Sequence, residues 1–79
     1  MEYLLSFGGT HMALKAEALL KKASLAFRLL PAPKALLPYC GLVIEVQEDV
    51  LSAAKDALNG GRLKIKSIYR KEGDGYVKV

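Results

Sequence analysis

The 79-residue sequence contains a single cysteine, Cys40, and a single histidine, His11. One cysteine cannot form an internal disulfide, which suits a reducing compartment and leaves a free thiol to be explained. The sequence has no Cys-x-x-Cys pair for disulfide exchange, no metal-ligand cluster and no phosphate-binding glycine loop. These absences argue against an independent enzyme, and we expect no metal or organic cofactor.

Long hydrophobic runs are absent as well. No apolar stretch approaches the roughly 18 residues that a membrane span needs, and the acidic residue Glu2 stands where a secretory signal would be basic. We therefore expect a cytoplasmic protein with no membrane segment. At this length we expect one domain, spanning residues 1–79, with one small core.

Apolar and basic residues, in contrast, are plentiful. Hydrophobic residues make up 52% of the chain and the net charge is +4, so the composition predicts a folded domain with a basic surface. Such a surface either keeps the protein in solution or binds nucleic acid or an acidic partner protein.

Two segments have the apolar spacing of helices. The first runs from His11 to Ala23 with Thr10 as its N-cap, and its predicted apolar face is formed by Met12, Ala16, Leu19 and Ala23. The second begins with Glu48 and Asp49, whose negative charge suits a helix start, and ends at Asn59-Gly60-Gly61. Its apolar face contains Val50, Leu51, Ala54, Ala57 and Leu58.

Five segments are predicted as strands from their apolar or alternating residues. They are Tyr3–Phe7, Phe27–Leu30, Leu42–Val46, Leu63–Lys71 and Tyr76–Val79. The fourth changes phase around Ser67, which indicates either a bulge or a strand that begins later than Leu63. The fifth would return as a short edge strand.

This order predicts an α+β protein with a ferredoxin-like βαββαβ sandwich, in which one antiparallel sheet carries two helices on one face. The last strand would add a C-terminal edge. Following the chain direction, we expect four features at one edge of the domain. They are the turn after the first strand, the start of the first helix, the proline loop that ends in Cys40, and the turn after the second helix.

That placement gives Cys40 a chemical interpretation, because helix N–H groups and nearby cations lower the pKa of a thiol. His11, Lys34 and Arg28 are the candidate helpers, and Gly41 would let a partner's sulfur approach closely. The alternative is structural. Cys40 would then be a small buried hydrophobe, His11 a surface or capping residue, and the two cations ordinary surface charges.

The chain also resembles a family of small bacterial proteins, the selenium/sulfur carrier-like proteins. The resemblance rests on "YLLSF", "THMALKAEALLKKA", "FRLLPAPK" and "CGLVIEV", and above all on the pairing of a P-x-P-basic loop with a Cys-Gly. It implies that Cys40 carries sulfur or selenium as a persulfide or selenopersulfide and passes it to a partner. Gly41, Lys34, Thr10 and His11 would then surround the carrier thiol. The apolar residues just before Cys40 depart from the small polar residues of the family.

Two functions follow as hypotheses. In the first, the protein is a carrier that is loaded by a cysteine desulfurase-like donor and unloaded by an acceptor protein. In the second, it is a non-catalytic interaction or regulatory module that binds through its open sheet face or its edge strands, including as a homodimer. Nucleic acid is the weaker partner, because the second central strand, "LVIEV", offers no aromatic residue for base stacking.

Overall fold

The described residues of the protein form a five-stranded antiparallel sheet that is packed against two helices. The computed structural model describes residues 1–31, 41–73 and 75–79. In chain order the elements are β1 Glu2–Ser6, α1 Thr10–Lys22, β2 Arg28–Pro31, β3 Leu42–Gln47, α2 Glu48–Gly60, β4 Ser67–Glu72 and β5 Gly75–Lys78. The strand order is β2-β3-β1-β4-β5. The predicted ferredoxin-like arrangement with an additional C-terminal edge strand is confirmed.

The core lies between the sheet and the helices. Leu5 of β1 stands opposite Ile44 of β3 and Ile68 of β4, so the central strands present a continuous apolar surface to the helices. Leu20 of α1 and Leu58 of α2 are fully buried against it. Because burial of one such side chain stabilises a fold by about 1.5–3 kcal/mol, this small cluster accounts for much of the stability of the domain.

Two details of the first helix differ from the prediction. Thr10 is not the N-cap: the backbone N–H of Ala13 donates to the carbonyl oxygen of Gly9 at 3.1 Å, which makes Gly9 the cap and Thr10 the first helical residue. The predicted buried face is also wrong in part. Its buried residues are Ala13, Ala16 and Leu20, whereas Met12 and Leu19 are half-buried and Ala23 is exposed.

In the second half of the chain the predicted helix and two strands are present, and the bounds of the strands differ from the prediction. The second helix buries Ala54 and Leu58 and ends at Gly60. The fourth strand begins at Ser67 rather than Leu63, so the change of phase marks a late start and not a bulge. Asp74, in the predicted turn before the last strand, lies outside the described residues, and β5 returns beside β4. Both described helices have 13 residues, and neither is long and apolar enough to cross a membrane.

Candidate functional site

The ends of four strands lie together at one edge of the sheet, which we call the upper edge. β1 and β2 end there, and β3 and β4 begin there. The strand register establishes this directly, since Ser6 stands opposite Val43 on one side and Ser67 on the other, and Pro31 stands opposite Leu42. α1 begins at the same edge, three residues after β1 ends. Of the four features predicted at this edge, the turn after β1, the start of α1 and the turn after α2 lie there, while the proline loop lies outside the described residues.

Gly41 is the described residue that fixes the position of the candidate site. It immediately precedes β3 at the upper edge, is half-buried, and is joined by a peptide bond to Cys40. Cys40 and Lys34 lie outside the described residues, so the predictions that concern their side chains stay predictions. The surroundings of the site are therefore built from the elements that flank Gly41.

The start of α1 supplies an electropositive and open part of this edge. Thr10 and His11 are exposed, and the first turn contains no acidic residue to neutralise the helix dipole. The first N–H groups of a helix have no intrahelical partner and favour negative charge nearby. Among the described residues, a Cβ atom added at Gly8 or Gly9 would meet nothing within 4 Å.

A second positive feature at the upper edge is the segment that leads from α2 into β4. Its exposed cations alternate with apolar residues that face inward, Leu63 being buried and Ile65 half-buried. We call these cations the basic stripe; its members are Arg62, Lys64 and Lys66. The backbone N–H of Lys66 donates to the carbonyl oxygen of Ser6 at 2.9 Å, which holds the stripe beside the end of β1.

In the sequence these three residues are only part of the general positive charge. The alternation from Leu63 to Lys66 was visible, but it predicts a strand as readily as an extended segment. The hydrogen bond to β1 is what brings the stripe to the same edge as Gly41, and no local pattern reports such a long-range contact.

Arg28, the remaining candidate helper, lies elsewhere. Arg28 begins β2, whereas Pro31 at the other end of that strand, which lies opposite Leu42 at the upper edge, is roughly 10 Å away at about 3.3 Å per residue. Its guanidinium group stands 3.6 Å from the carboxylate of Glu45, directly across on β3. The structure thus places Thr10, His11 and Gly41 at the upper edge and Arg28 at the opposite one.

Glu45 is a carboxyl group whose pKa is shifted by its surroundings. Burial raises its pKa above the usual 4.5, and a hydrogen bond and repulsion from the neighbouring Glu2 raise it further, while Arg28 and Lys71 act in the opposite direction. Its side chain is only 13% exposed. The folded protein therefore holds the proton of Glu45 more tightly than the unfolded chain does.

This shift predicts a pH dependence of stability. The stabilising effect of the protonated carboxyl is complete below about pH 4.5 and is lost as the pH rises through the higher pKa of the folded state. The glutamine of the Glu45→Gln variant cannot ionise. We therefore expect the free energy of unfolding of this variant to increase relative to that of wild type as the pH rises through the folded-state pKa of Glu45. Urea denaturation between pH 4 and pH 8 measures it. Glu17→Gln is the control for removing one carboxylate, because Glu17 is a half-buried residue of α1 that is also paired with a cation, Lys21. An identical pH trend in both variants would contradict the prediction.

A metal centre finds no support in the described residues, among which no group of three or more histidine, cysteine, aspartate or glutamate side chains could hold an ion.

Comparison with known proteins points to one family. The family model described as "Putative Se/S carrier protein-like" matches residues 2–70, which include all of β1 to α2 and most of β4. No curated protein and no solved structure matches the chain. The match covers far more than half of the sequence, including the Cys40-Gly41 pair and the start of α1. The chain therefore belongs to the family of Se/S carrier protein-like proteins.

Proposed function

We propose that the protein is a carrier that holds sulfur or selenium on Cys40 as a persulfide or selenopersulfide. The observation that carries the proposal is membership of the family, whose model spans Cys40, the start of α1 and the basic stripe. The geometry of that edge adds physical support. An open helix start and the basic stripe both favour a negatively charged sulfur next to Gly41.

The loading step needs no oxidant or reductant beyond the donor. The Cys40 thiolate attacks the terminal sulfur of a cysteine persulfide on the donor enzyme, so that a new S–S bond forms at Cys40. The S–S bond of the donor breaks, and the donor cysteine leaves as a thiolate. A selenopersulfide donor would transfer selenium by the same displacement.

The unloading step is the same type of displacement, with Cys40 now as the leaving group. A thiolate of the acceptor protein attacks the terminal sulfur or selenium atom, and Cys40 leaves as a thiolate, ready for another cycle. A stabilised thiolate at Cys40 helps both steps, because it is the attacking group in the first and the leaving group in the second. The carrier needs no cofactor and turns over only through its partners, so we do not assign it an enzymatic activity of its own.

We infer that the donor is a cysteine desulfurase-like enzyme, since such enzymes supply sulfur as a cysteine persulfide. The acceptor is a second protein with a free thiol. A carrier thiol that must stay reduced between cycles suits the cytoplasm, where disulfides are rare, and we place the protein there.

The test is incubation of the reduced protein with a cysteine desulfurase and cysteine, followed by intact mass spectrometry under non-reducing conditions. Wild type is expected to gain one sulfur atom that a thiol reductant removes. Cys40→Ala and Cys40→Ser should gain none, because neither side chain can displace the donor thiolate. Circular dichroism of each variant establishes that the fold is intact. Equal labile sulfur on wild type and Cys40→Ala would rule out the carrier function.

A second candidate function, a non-catalytic interaction module, is favoured by the outer strand β5. One side of β5 pairs with β4, while the other is a sheet edge whose backbone N–H and C=O groups can bind a further strand. Val77 on this strand is 43% exposed. The other edge strand, β2, ends at Pro31, which has no N–H to donate. A homodimer would therefore form through β5, and a concentration-independent dimer with an inert thiol would support this function over the carrier.

A further inference from the structure

We propose that the basic stripe, Arg62, Lys64 and Lys66, is the docking surface for an acidic segment of the protein that exchanges sulfur or selenium with Cys40. This inference rests on the proposed carrier function and extends it by naming the chemistry of the partner.

The stripe is held in place by the fold rather than by its own side chains. The N–H of Arg62 donates to the carbonyl oxygen of Asn59 at 3.0 Å, and the N–H of Leu63 donates to that of Leu58 at 2.9 Å. At the other end of the segment, the N–H of Lys66 forms a hydrogen bond with β1. Leu63 between them is buried and only 3% exposed. The backbone is therefore anchored at both ends of the segment, and all three cations are exposed.

The charges of the stripe are available to a partner. Among residues 1–31, 41–73 and 75–79 the structure contains four ion pairs, and none involves a member of the stripe. Most described acidic residues gather at the opposite edge, where β1 and α2 begin and where β3 and β4 end. They are Glu2, Glu45, Glu48, Asp49 and Glu72. The separation leaves the upper edge positive, which is complementary to an acidic surface.

The stripe is also close enough to act on the chemistry. β3 and β4 are the two neighbours of β1, so the backbone at Gly41 and at Lys66 is separated by about two strand spacings, roughly 10 Å. This is close to the Debye length, which is about 10 Å at 0.1 M ionic strength and about 8 Å at 0.15 M. An acidic segment bound to the stripe would bring its own protein's thiol to the edge where Gly41 is joined to Cys40.

A protein fits this surface better than a nucleic acid does. Single-stranded nucleic acids bind through aromatic side chains on which bases stack, in addition to cations that contact phosphates. No aromatic residue alternates with the cations of the stripe, and Phe7 at the adjacent end of β1 is buried. An acidic segment, in contrast, can bind through its carboxylates to the cations alone, without aromatic side chains.

The experiment uses two labelled peptides, a hexaglutamate and a hexaglutamine, each with a cysteine activated as a 2-thiopyridyl disulfide. Steering by the stripe is expected to make the hexaglutamate react with Cys40 about tenfold faster than the hexaglutamine at low ionic strength. The advantage should fall as salt is added. Replacing Arg62, Lys64 and Lys66 together by glutamine should abolish it.

The matched control is the triple variant Lys21→Gln/Lys22→Gln/Lys55→Gln. It removes the same amount of charge from exposed helix positions, so it should keep the preference for the acidic peptide if the effect is local. Binding of a thiol-free hexaglutamate, followed by NMR shifts of the backbone amides, supplies an independent measurement. We expect the shifts to centre on residues 62–66.

Each outcome has a defined meaning. Equal rates for the two peptides, or equal effects of the two triple variants, would overturn the docking surface. Tighter binding of a hexauridylate than of hexaglutamate at residues 62–66 would overturn it in favour of nucleic acid. If Cys40 reacts with neither peptide while hexaglutamate still shifts these amides, the docking surface stands and the carrier function falls.

Discussion

Replacing Leu20 by alanine is expected to lower the free energy of unfolding by about 3 kcal/mol. Leu20 is fully buried in the cluster that α1 and α2 form against the sheet. Deleting such a side chain loses its transfer free energy and leaves a cavity, which together cost about 2–5 kcal/mol. Domains of this size have total stabilities near the low end of about 5–15 kcal/mol, so the variant should lose roughly half of its stability. Urea denaturation followed by circular dichroism measures the change.

Leu14→Ala is the matched control. Leu14 lies on the same helix and undergoes the same chemical change, but it is 46% exposed. Its replacement should alter stability by no more than about 0.5 kcal/mol, as is usual for surface positions. Similar losses in the two variants would contradict the orientation of α1, because that orientation is what separates the environments of the two leucines.

The orientation of α1 could not be predicted from the sequence because apolar residues surround the helix. Apolar side chains occupy most of the positions from Met12 to Ala23, and several different sets of three or four satisfy helical spacing. Tertiary packing selects the set centred on Ala16 and Leu20. The two alanines of the buried face, Ala13 and Ala16, are small enough for the helix to lie close to the sheet.

The strand order, in contrast, follows from simple features of the chain. β1 and β3 are nearly continuous apolar runs, which is typical of central strands covered by helices, and the crossover rule leaves few alternatives for connecting them. The late start of β4 at Ser67 was one of two alternatives that its change of phase allowed. Pairing of Ser67 with Ser6 decides between them, and that pairing depends on a residue 61 positions away in the chain.

The candidate site was predictable in outline but not in its charges. Chain direction alone brings Gly41 and the start of α1 to one edge, and it also implies that Arg28, at the start of β2, lies at the other. The partnership of Arg28 with Glu45 needs the cross-strand register. The basic stripe needs the hydrogen bond between Lys66 and Ser6. Both are contacts between distant segments, which neither composition nor periodicity reports.

Cys40 is expected to hold about ten times more thiolate at neutral pH than cysteine in an unstructured peptide, and to be alkylated several times faster, since a thiolate of lower pKa is also less nucleophilic. A tenfold gain in thiolate population corresponds to about 1.4 kcal/mol. The start of a helix supplies about 0.3–1 kcal/mol toward a nearby anion. A cation about 10 Å away in water adds about 0.4 kcal/mol before salt screening, and Lys66, whose backbone lies roughly 10 Å from that of Gly41, is one such cation. These contributions together reach the required size.

The pH dependence of the rate with iodoacetamide measures this population directly, and its midpoint is expected to lie below the value of about 8.5 that is typical of free cysteine. Removing the stripe by Arg62→Gln/Lys64→Gln/Lys66→Gln should move the midpoint upward more than the equally charged Lys21→Gln/Lys22→Gln/Lys55→Gln does. The apolar residues that precede Cys40 in the sequence oppose the effect, because desolvation raises the pKa of a thiol. A slow reaction with a midpoint at or above 8.5 would mean that desolvation prevails, and Cys40 would then be a structural residue of an interaction module rather than a carrier thiol.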